Sequence, residues 1–441
     1  MLMRKVSAFS VFILIASILA LPHAYAANAK AGGTCTRISA TSVVLAVKYT
    51  CIKSGKKLVW SKGVKVSTKS GTSAAFKAPI PITLPVAQNG EITFTNAIDN
   101  ISDIPKIAWQ KVQDLISQNP APAPISNVVH VGPNTQLDIN GGQSRIQDIL
   151  KRNQTLWSGF TQVSRFHLLM YNAQDEPWAE EDWKKTGKKM KYFPGDIAAE
   201  VKRIAGNCQN TISPGVFSGP PVNCGGADST ALNNSDDAIL TLSQGGQGAI
   251  NKNPFITEGG ILGHEYTHAV QAAQWIGKPS SYCTERSSTQ TCSRSWSSNW
   301  GFSPCWMFEG LPNSVGPMAV AETYAAYEES RKSLPFGQGP TTVTDYSQSS
   351  LRDYLFNQKS STCYADGNLY RLGYTVGALT TEILVAIAGP QSVMAMYALG
   401  AEGQDFPKAF KNVYGISWSD ASTILSKVLA AEYATFGSPP N

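Results

Sequence analysis

Two histidines and a glutamate, His264, Glu265 and His268 in the segment Gly263-His-Glu-Tyr-Thr-His-Ala269, carry the strongest chemical signal in the chain. Residues four apart lie one above the other on a helix, so imidazoles at this spacing reach a single metal ion. The glutamate beside the first histidine points about 100° further round the helix. From there it ligates poorly but is well placed to draw a proton from a water that the metal polarises. The chemistry implied is metal-assisted hydrolysis with Glu265 as general base. Random placement of 5 histidines and 15 glutamates in 441 residues yields about 0.002 such motifs, so chance explains it poorly.

The surrounding residues read as a helix. Thr257 is the expected N-cap and Gly277 the expected stop, while Leu262, Tyr266, Ala269, Ala273 and Ile276 form an apolar stripe. His264 and His268 share the opposite face with Ile261 and Trp275, and Glu265 is the one charge between Ile261 and Ile276. A helix apolar on both sides is buried, and two histidines and a carboxylate inside it cost several kcal/mol unless an ion compensates them.

A catalytic zinc takes three protein ligands and keeps a position open. His130 and His167 fall in expected strands upstream, where a core or edge histidine is the simpler reading. No histidine follows within a turn or two of His268. A downstream carboxylate is needed, and Glu309 in Cys305-Trp-Met-Phe-Glu-Gly-Leu-Pro-Asn313 is the best candidate, because a lone glutamate in an apolar segment is costly unless paired. Glu322 is the runner-up, and Glu328 and Glu329 read as a solvated face.

Here the chain resembles the gluzincin branch of the HExxH metallopeptidases, in which a Trp-x-x-Glu-Gly helix follows the HExxH helix. Trp306, Glu309 and Gly310 match that pattern, and Pro312 departs from it. The departure leaves the helix start open but not the ligand, because proline is tolerated in a first turn. The likeness extends through Asn368-Leu-Tyr-Arg-Leu-Gly-Tyr374 and Ala409-Phe-Lys-Asn-Val-Tyr-Gly415, covering residues 126 to 435 with specificity concentrated at the metal positions. It implies an α+β, two-lobed zincin-like fold, a mixed sheet lobe plus a helical C-terminal lobe, with zinc in the cleft held by His264, His268 and Glu309. It also implies an oxyanion donor from a later helix, a role open to Tyr370 or Tyr374. The alternative is that these tyrosines merely pack with Leu369 and Leu372.

The N-terminus reads as a secretory signal over 1–26: Arg4 and Lys5, an apolar run from Val6 to Leu21, then Ala24-Tyr25-Ala26. The apolar run is shorter than the ~20 residues of a spanning helix, and Ile383 to Leu399 is interrupted by Gly389-Pro390. No transmembrane helix is therefore expected in the mature chain, and the expected location is secreted or cell-wall associated. Eight cysteines after the signal suggest disulfides. Short separations favour Cys35 with Cys51, Cys208 with Cys224 and Cys283 with Cys292, leaving Cys305 with Cys363.

Residues 27 to 90 hold ten Lys or Arg and no acid, whereas 91 to 441 hold 25 basic against 31 acidic side chains. This asymmetry sets the expected organisation: a small basic one-disulfide module over 27–66, a linker over 67–90, and a metallopeptidase domain over 91–441. The module resembles small Lys-Leu-Val-Trp-ending modules found on exported actinobacterial proteins. In the large domain, helices are expected at Ile104 to Gln118, Gln143 to Gly159 and Pro177 to Lys191, and strands at Ser126 to Val131, Phe166 to Met170 and, as an edge, Ala238 to Leu242. Asn207 to Asp237 reads as an irregular insertion, and Gly245-Gly-Gln-Gly248 as a turn.

The acidic main domain excludes a nucleic-acid groove, and Glu180-Glu181-Asp182 reads as a solvated helix face rather than glycosidase carboxylates. The expected function is a secreted zinc peptidase, an endopeptidase, acting on a protein or peptide substrate, with an anionic cell-wall polymer as partner of the basic module. Two alternatives stand beside it: a non-catalytic exported cell-envelope binding protein with a structural zinc, and a zinc hydrolase of a non-peptide bond. Glu265 argues against the first, because a structural site has no use for a base.

Overall fold

In the computed structural model the described residues are 30–36, 38, 41–44, 47–65, 80–119, 125–186, 197–206, 208–209, 223–224, 226–231, 237–243, 253–276, 278, 302–335, 343–357 and 367–436. The expected signal sequence, Cys283, Cys292, Cys363 and Gly245 to Gly248 lie outside them. The chain divides into two compact units, Met1–Phe76 and Lys77–Asn441.

The smaller unit is an antiparallel sheet of β1 (Thr41–Val44), β2 (Val47–Ser54), β3 (Lys57–Trp60) and β4 (Val64–Lys65), with β2 pairing β1, β3 and β4. The β2–β3 hairpin turns at Gly55, whose φ of 60° suits glycine. So short a sheet buries little, and the Cys35–Cys51 disulfide, with Cα atoms 5.9 Å apart, ties it to the preceding segment.

The larger unit is α+β. Its start differs from the expected linker: Ile80, Ile82, Leu84 and Val86 pack on the core, and the Val86 N–H donates to the Val413 carbonyl. Helix α1 (Ile104–Gln118) leads to β5 (Ser126–Val131), α2 (Gly142–Leu156) and β6 (Arg165–Tyr171), then α3 (Glu176–Lys185) and α4 (Ile197–Ala205). Beyond the short pair β7 (Cys208–Gln209) and β8 (Asn223–Cys224), in which Cys208 stands opposite Cys224, come β9 (Ala227–Ala231) and β10 (Asp237–Ser243).

The main sheet runs β5-β6-β10-β9, with the first three strands parallel and β9 antiparallel to β10. Strand β10, expected at the edge, is central and wholly buried. The edge is β9, whose sequence Ala-Asp-Ser-Thr-Ala lacks the β-branched run that marks a strand. Pairing with β10, rather than local propensity, makes it extended.

The second half is helical: α5 (Pro254–Thr257), α6 (Gly260–Ala273), α7 (Cys305–Val320), α8 (Tyr324–Arg331), α9 (Gln348–Asn357), α10 (Gly367–Tyr374), α11 (Val376–Ala388), α12 (Pro390–Gly400), α13 (Phe406–Tyr414) and α14 (Trp418–Phe436). Gly367–Ala388 is long and apolar enough to cross a membrane, but most of it is buried inside the unit. Thr257 does not cap the HExxH helix as expected. It ends α5, and α6 starts instead after left-handed Gly259 at φ 83°.

Every residue of α7 is buried. It passes α6 where Gly263 faces Gly316, and α11 where Gly310 faces Gly377. A methyl at Gly316 would strike the His264 amide, and one at Gly310 would strike the Gly377 backbone. Backbone contact at both crossings draws α7 close enough for its side chains to reach α6.

Candidate metal centre

His264, Glu265 and His268 lie on α6, and Glu309 lies one turn into α7. The His264 and His268 Nε2 atoms are 3.1 Å apart, and Glu309 Oε2 is 3.2 Å from His268 Nε2 and 3.7 Å from His264 Nε2. These three buried donors could hold a metal ion. Tetrahedral zinc at 2.0–2.1 Å from nitrogen and oxygen ligands separates its donors by about 3.3–3.4 Å, a value the three observed edges bracket. The donor set, two imidazoles and a carboxylate, also suits that ion.

The supports of the two histidines differ. His268 Nδ1 is 2.8 Å from Gln271 Oε1, while Gln271 Nε2 donates to the Phe308 carbonyl at 3.2 Å and to Tyr397 Oη at 2.9 Å. On the His264 side, Asn313 Nδ2 donates to the Tyr374 carbonyl at 2.8 Å, leaving its Oδ1 available to the imidazole. His264 Nδ1 makes no hydrogen bond of good geometry. Rings complete the walls: Phe308 packs on His268 at 4.7 Å, and Tyr374 stacks on His264 at 5.8 Å with 6° between planes.

Burial dominates the electrostatics. It pushes the Glu265 carboxyl up to about 7, with His268 opposing and Glu309 adding to the shift. Burial and the charge of His268 lower His264 to about 3. For His268 burial works downward, but the adjoining Glu309 carboxylate outweighs it and raises the imidazole to about 9. A metal ion taking these donors displaces that proton, so binding weakens as acid returns it. Glu265 Oε1 is 4.0 Å from His264 Nε2, beside the donors rather than among them.

Tyr370 and Tyr374, on α10, join the same locality. Their hydroxyls are 2.6 Å apart, and both side chains are half-buried. Burial first, then the charge of Glu309, raises the Tyr370 phenol, so it remains a hydrogen-bond donor. Glu322 goes elsewhere: it is exposed and pairs with Arg145 at 2.6 Å. Glu328 and Glu329 are exposed. His130 pairs with Asp182 at 2.6 Å and stacks on His167, which meets the edge of Trp183.

Pro312 lies in the interior of α7 rather than its first turn, because the helix begins at Cys305. Proline there has no N–H for the carbonyl four residues back. That carbonyl belongs to Phe308, the acceptor of Gln271.

Residue-level reading of the sequence passed over Gln271, Asn313 and Ser229, whose Oγ donates to the Glu265 carbonyl at 2.7 Å and ties β9 to α6. Amide side chains inside apolar helices were the available signal for the first two. No protein-family model, curated protein or solved structure matched the chain.

Proposed function

We propose that this chain is an exported zinc peptidase of the gluzincin type, with His264, His268 and Glu309 as ligands and Glu265 as general base. The observation that carries the reading is the convergence of those three donors from two helices with a fourth, buried carboxyl beside them. The order of elements, a mixed sheet before the HExxH helix and helices after it, supports a zincin-like, two-lobed arrangement. Zinc bound there supplies a Lewis acid for the scissile carbonyl and the attacking water.

The chain's own residues do the rest. Glu265, with its carboxyl raised by burial to about 7, accepts the water proton at a carboxylate oxygen and hands it to the leaving amine. Of the hydrogen-bonded Tyr370 and Tyr374 hydroxyls, one donates to the other and the second donates toward the oxyanion. The Cys35–Cys51 disulfide and a second disulfide at Cys305 fit an oxidising, extracellular setting. Exposed Lys53, Lys56 and Lys57 suit attachment of the small unit to an anionic wall polymer.

The test is metal analysis of the purified mature chain together with digestion of a diverse peptide library. One zinc per chain with peptide cleavage is expected. A fully zinc-loaded chain that cleaves no peptide overturns the peptidase reading and leaves a structural zinc or a non-peptide substrate.

A further inference from the structure

The Gln271 amide has its orientation fixed from two sides. Its nitrogen meets the Phe308 carbonyl, which can only accept, and Tyr397 Oη, whose own proton goes to the Met307 carbonyl at 3.0 Å. Both amide hydrogens are thereby used, and the amide oxygen is the end left for His268 Nδ1 at 2.8 Å. An oxygen acceptor there requires the histidine to carry its proton on Nδ1, which leaves the Nε2 lone pair directed at the other donors. Gln271 is fully buried, so water does not substitute for it.

The Phe308 carbonyl is open to Gln271 because of Pro312. In an unbroken helix the residue at 312 would donate its N–H to that carbonyl, and proline has none to give. We propose that Pro312, the Phe308 carbonyl, Gln271 and Tyr397 form a positioning relay that holds His268 in its Nδ1–H tautomer and so sets the metal affinity of the centre. This rests on the metal-centre reading but not on the reaction catalysed there. Gln271 and Pro312 are positioning residues: neither touches a reacting atom.

The experiment measures Zn²⁺ and Co²⁺ affinity of the full mature chain by chelator competition, for wild type, Gln271→Leu, Gln271→Glu and Pro312→Ala, with circular dichroism to establish folding. Gln271→Leu should bind about 10–100-fold more weakly. Gln271→Glu keeps an acceptor for Nδ1–H but loses the donor to the Phe308 carbonyl, so it should restore part of the affinity lost in Gln271→Leu, a rescue that a purely space-filling role would not give. Pro312→Ala supplies an N–H that competes for the Phe308 carbonyl, so affinity should fall, by less than in Gln271→Leu, although alanine favours the helix.

Proton NMR of the zinc-loaded chain is a second measurement, with a His268 Nδ1–H signal protected from solvent exchange in wild type and lost in Gln271→Leu. Wild-type affinity in Gln271→Leu, or an unprotected Nδ1–H in wild type, overturns the relay while leaving the metal centre standing. Unchanged affinity in Pro312→Ala removes the proline from it. A wild-type chain that takes up neither ion overturns the metal-centre reading itself.

Discussion

Two buried clusters of ionisable groups in the larger unit are completed in different ways. In the first, Glu382 and Glu432 lie against Arg331, whose Nε reaches both oxygens of Glu382 at 2.9 Å and whose Nη2 reaches Oε2 at 2.6 Å and also bonds Glu432. The Tyr327 hydroxyl donates to Glu382 as well. In the second, the carboxylates of Glu265 and Glu309 lie against His264 and His268. Arginine keeps its charge at any accessible pH, so the first cluster brings its own cation and joins helices α8, α11 and α14. Histidine gives up its proton to become a ligand, so the second cluster could exchange the proton held at His268 for a metal cation from outside. The same burial that makes one a structural clasp makes the other a candidate binding site.

The largest effect should come from removing the internal cation. Arg331→Met leaves two buried carboxylates facing each other and should lower unfolding free energy by about 3–5 kcal/mol in a denaturant titration. A loss no greater than that of an exposed ion pair, under about 1 kcal/mol, would mean that Arg331 is not the cation on which the first cluster depends.

On the metal side, Glu265→Gln keeps the size and removes the base. Zinc should stay bound while peptide hydrolysis falls at least ~10²-fold, or about 2.7 kcal/mol in activation free energy. Undiminished hydrolysis would take the base role away from Glu265. Comparison of Glu309→Ala with Glu322→Ala sharpens the contrast further. The first should lose zinc under chelator challenge and the second should retain it, because Glu322 is exposed and bound to Arg145. Equal retention in both would show that the third ligand lies elsewhere.

The smallest effect is a pH slope. Burial first, with Glu382 adding and Arg331 opposing, raises Glu432 from 4.5 to about 7. The folded chain therefore holds a proton that the unfolded chain releases between those values. This contribution is present below about pH 4.5 and is lost as pH rises through about 7, with a slope of at most about 1.4 kcal/mol per pH unit. Glu432→Gln should flatten stability against pH across that window, and an unchanged slope would assign the proton to another group.

Local patterns were legible in the sequence wherever periodicity spoke alone. Helix Ile104–Gln118 and strand Ser126–Val131 run between the expected residues, and β6 exceeds its expected span by one residue at each end. Edge strand β9 was hidden because its residues are poor strand formers, and the centrality of β10 because a fully buried strand looks alike at an edge or in the middle. Likewise the sequence allows Pro312 in a first turn, since nothing local reveals that Cys305 to Glu309 already form one.

The sequence by itself determined that His264 and His268 share one helical face with Glu265 turned from it, because a helix repeats every 3.6 residues whatever surrounds it. It also singled out Glu309 as a costly carboxylate in an apolar segment. Only the tertiary structure brought Glu309 rather than Glu322 beside the two histidines, since both lie far beyond His268 in the chain and nothing in that spacing encodes a distance. Glycine contacts at Gly263–Gly316 and Gly310–Gly377 seat α7 against α6 and α11, whereas Glu322 lies past the end of α7, exposed and paired with Arg145. The tautomer of His268 was decided the same way, by an amide whose partners come from α7 and α12. Contacts between distant segments carry no local period, and only packing creates them.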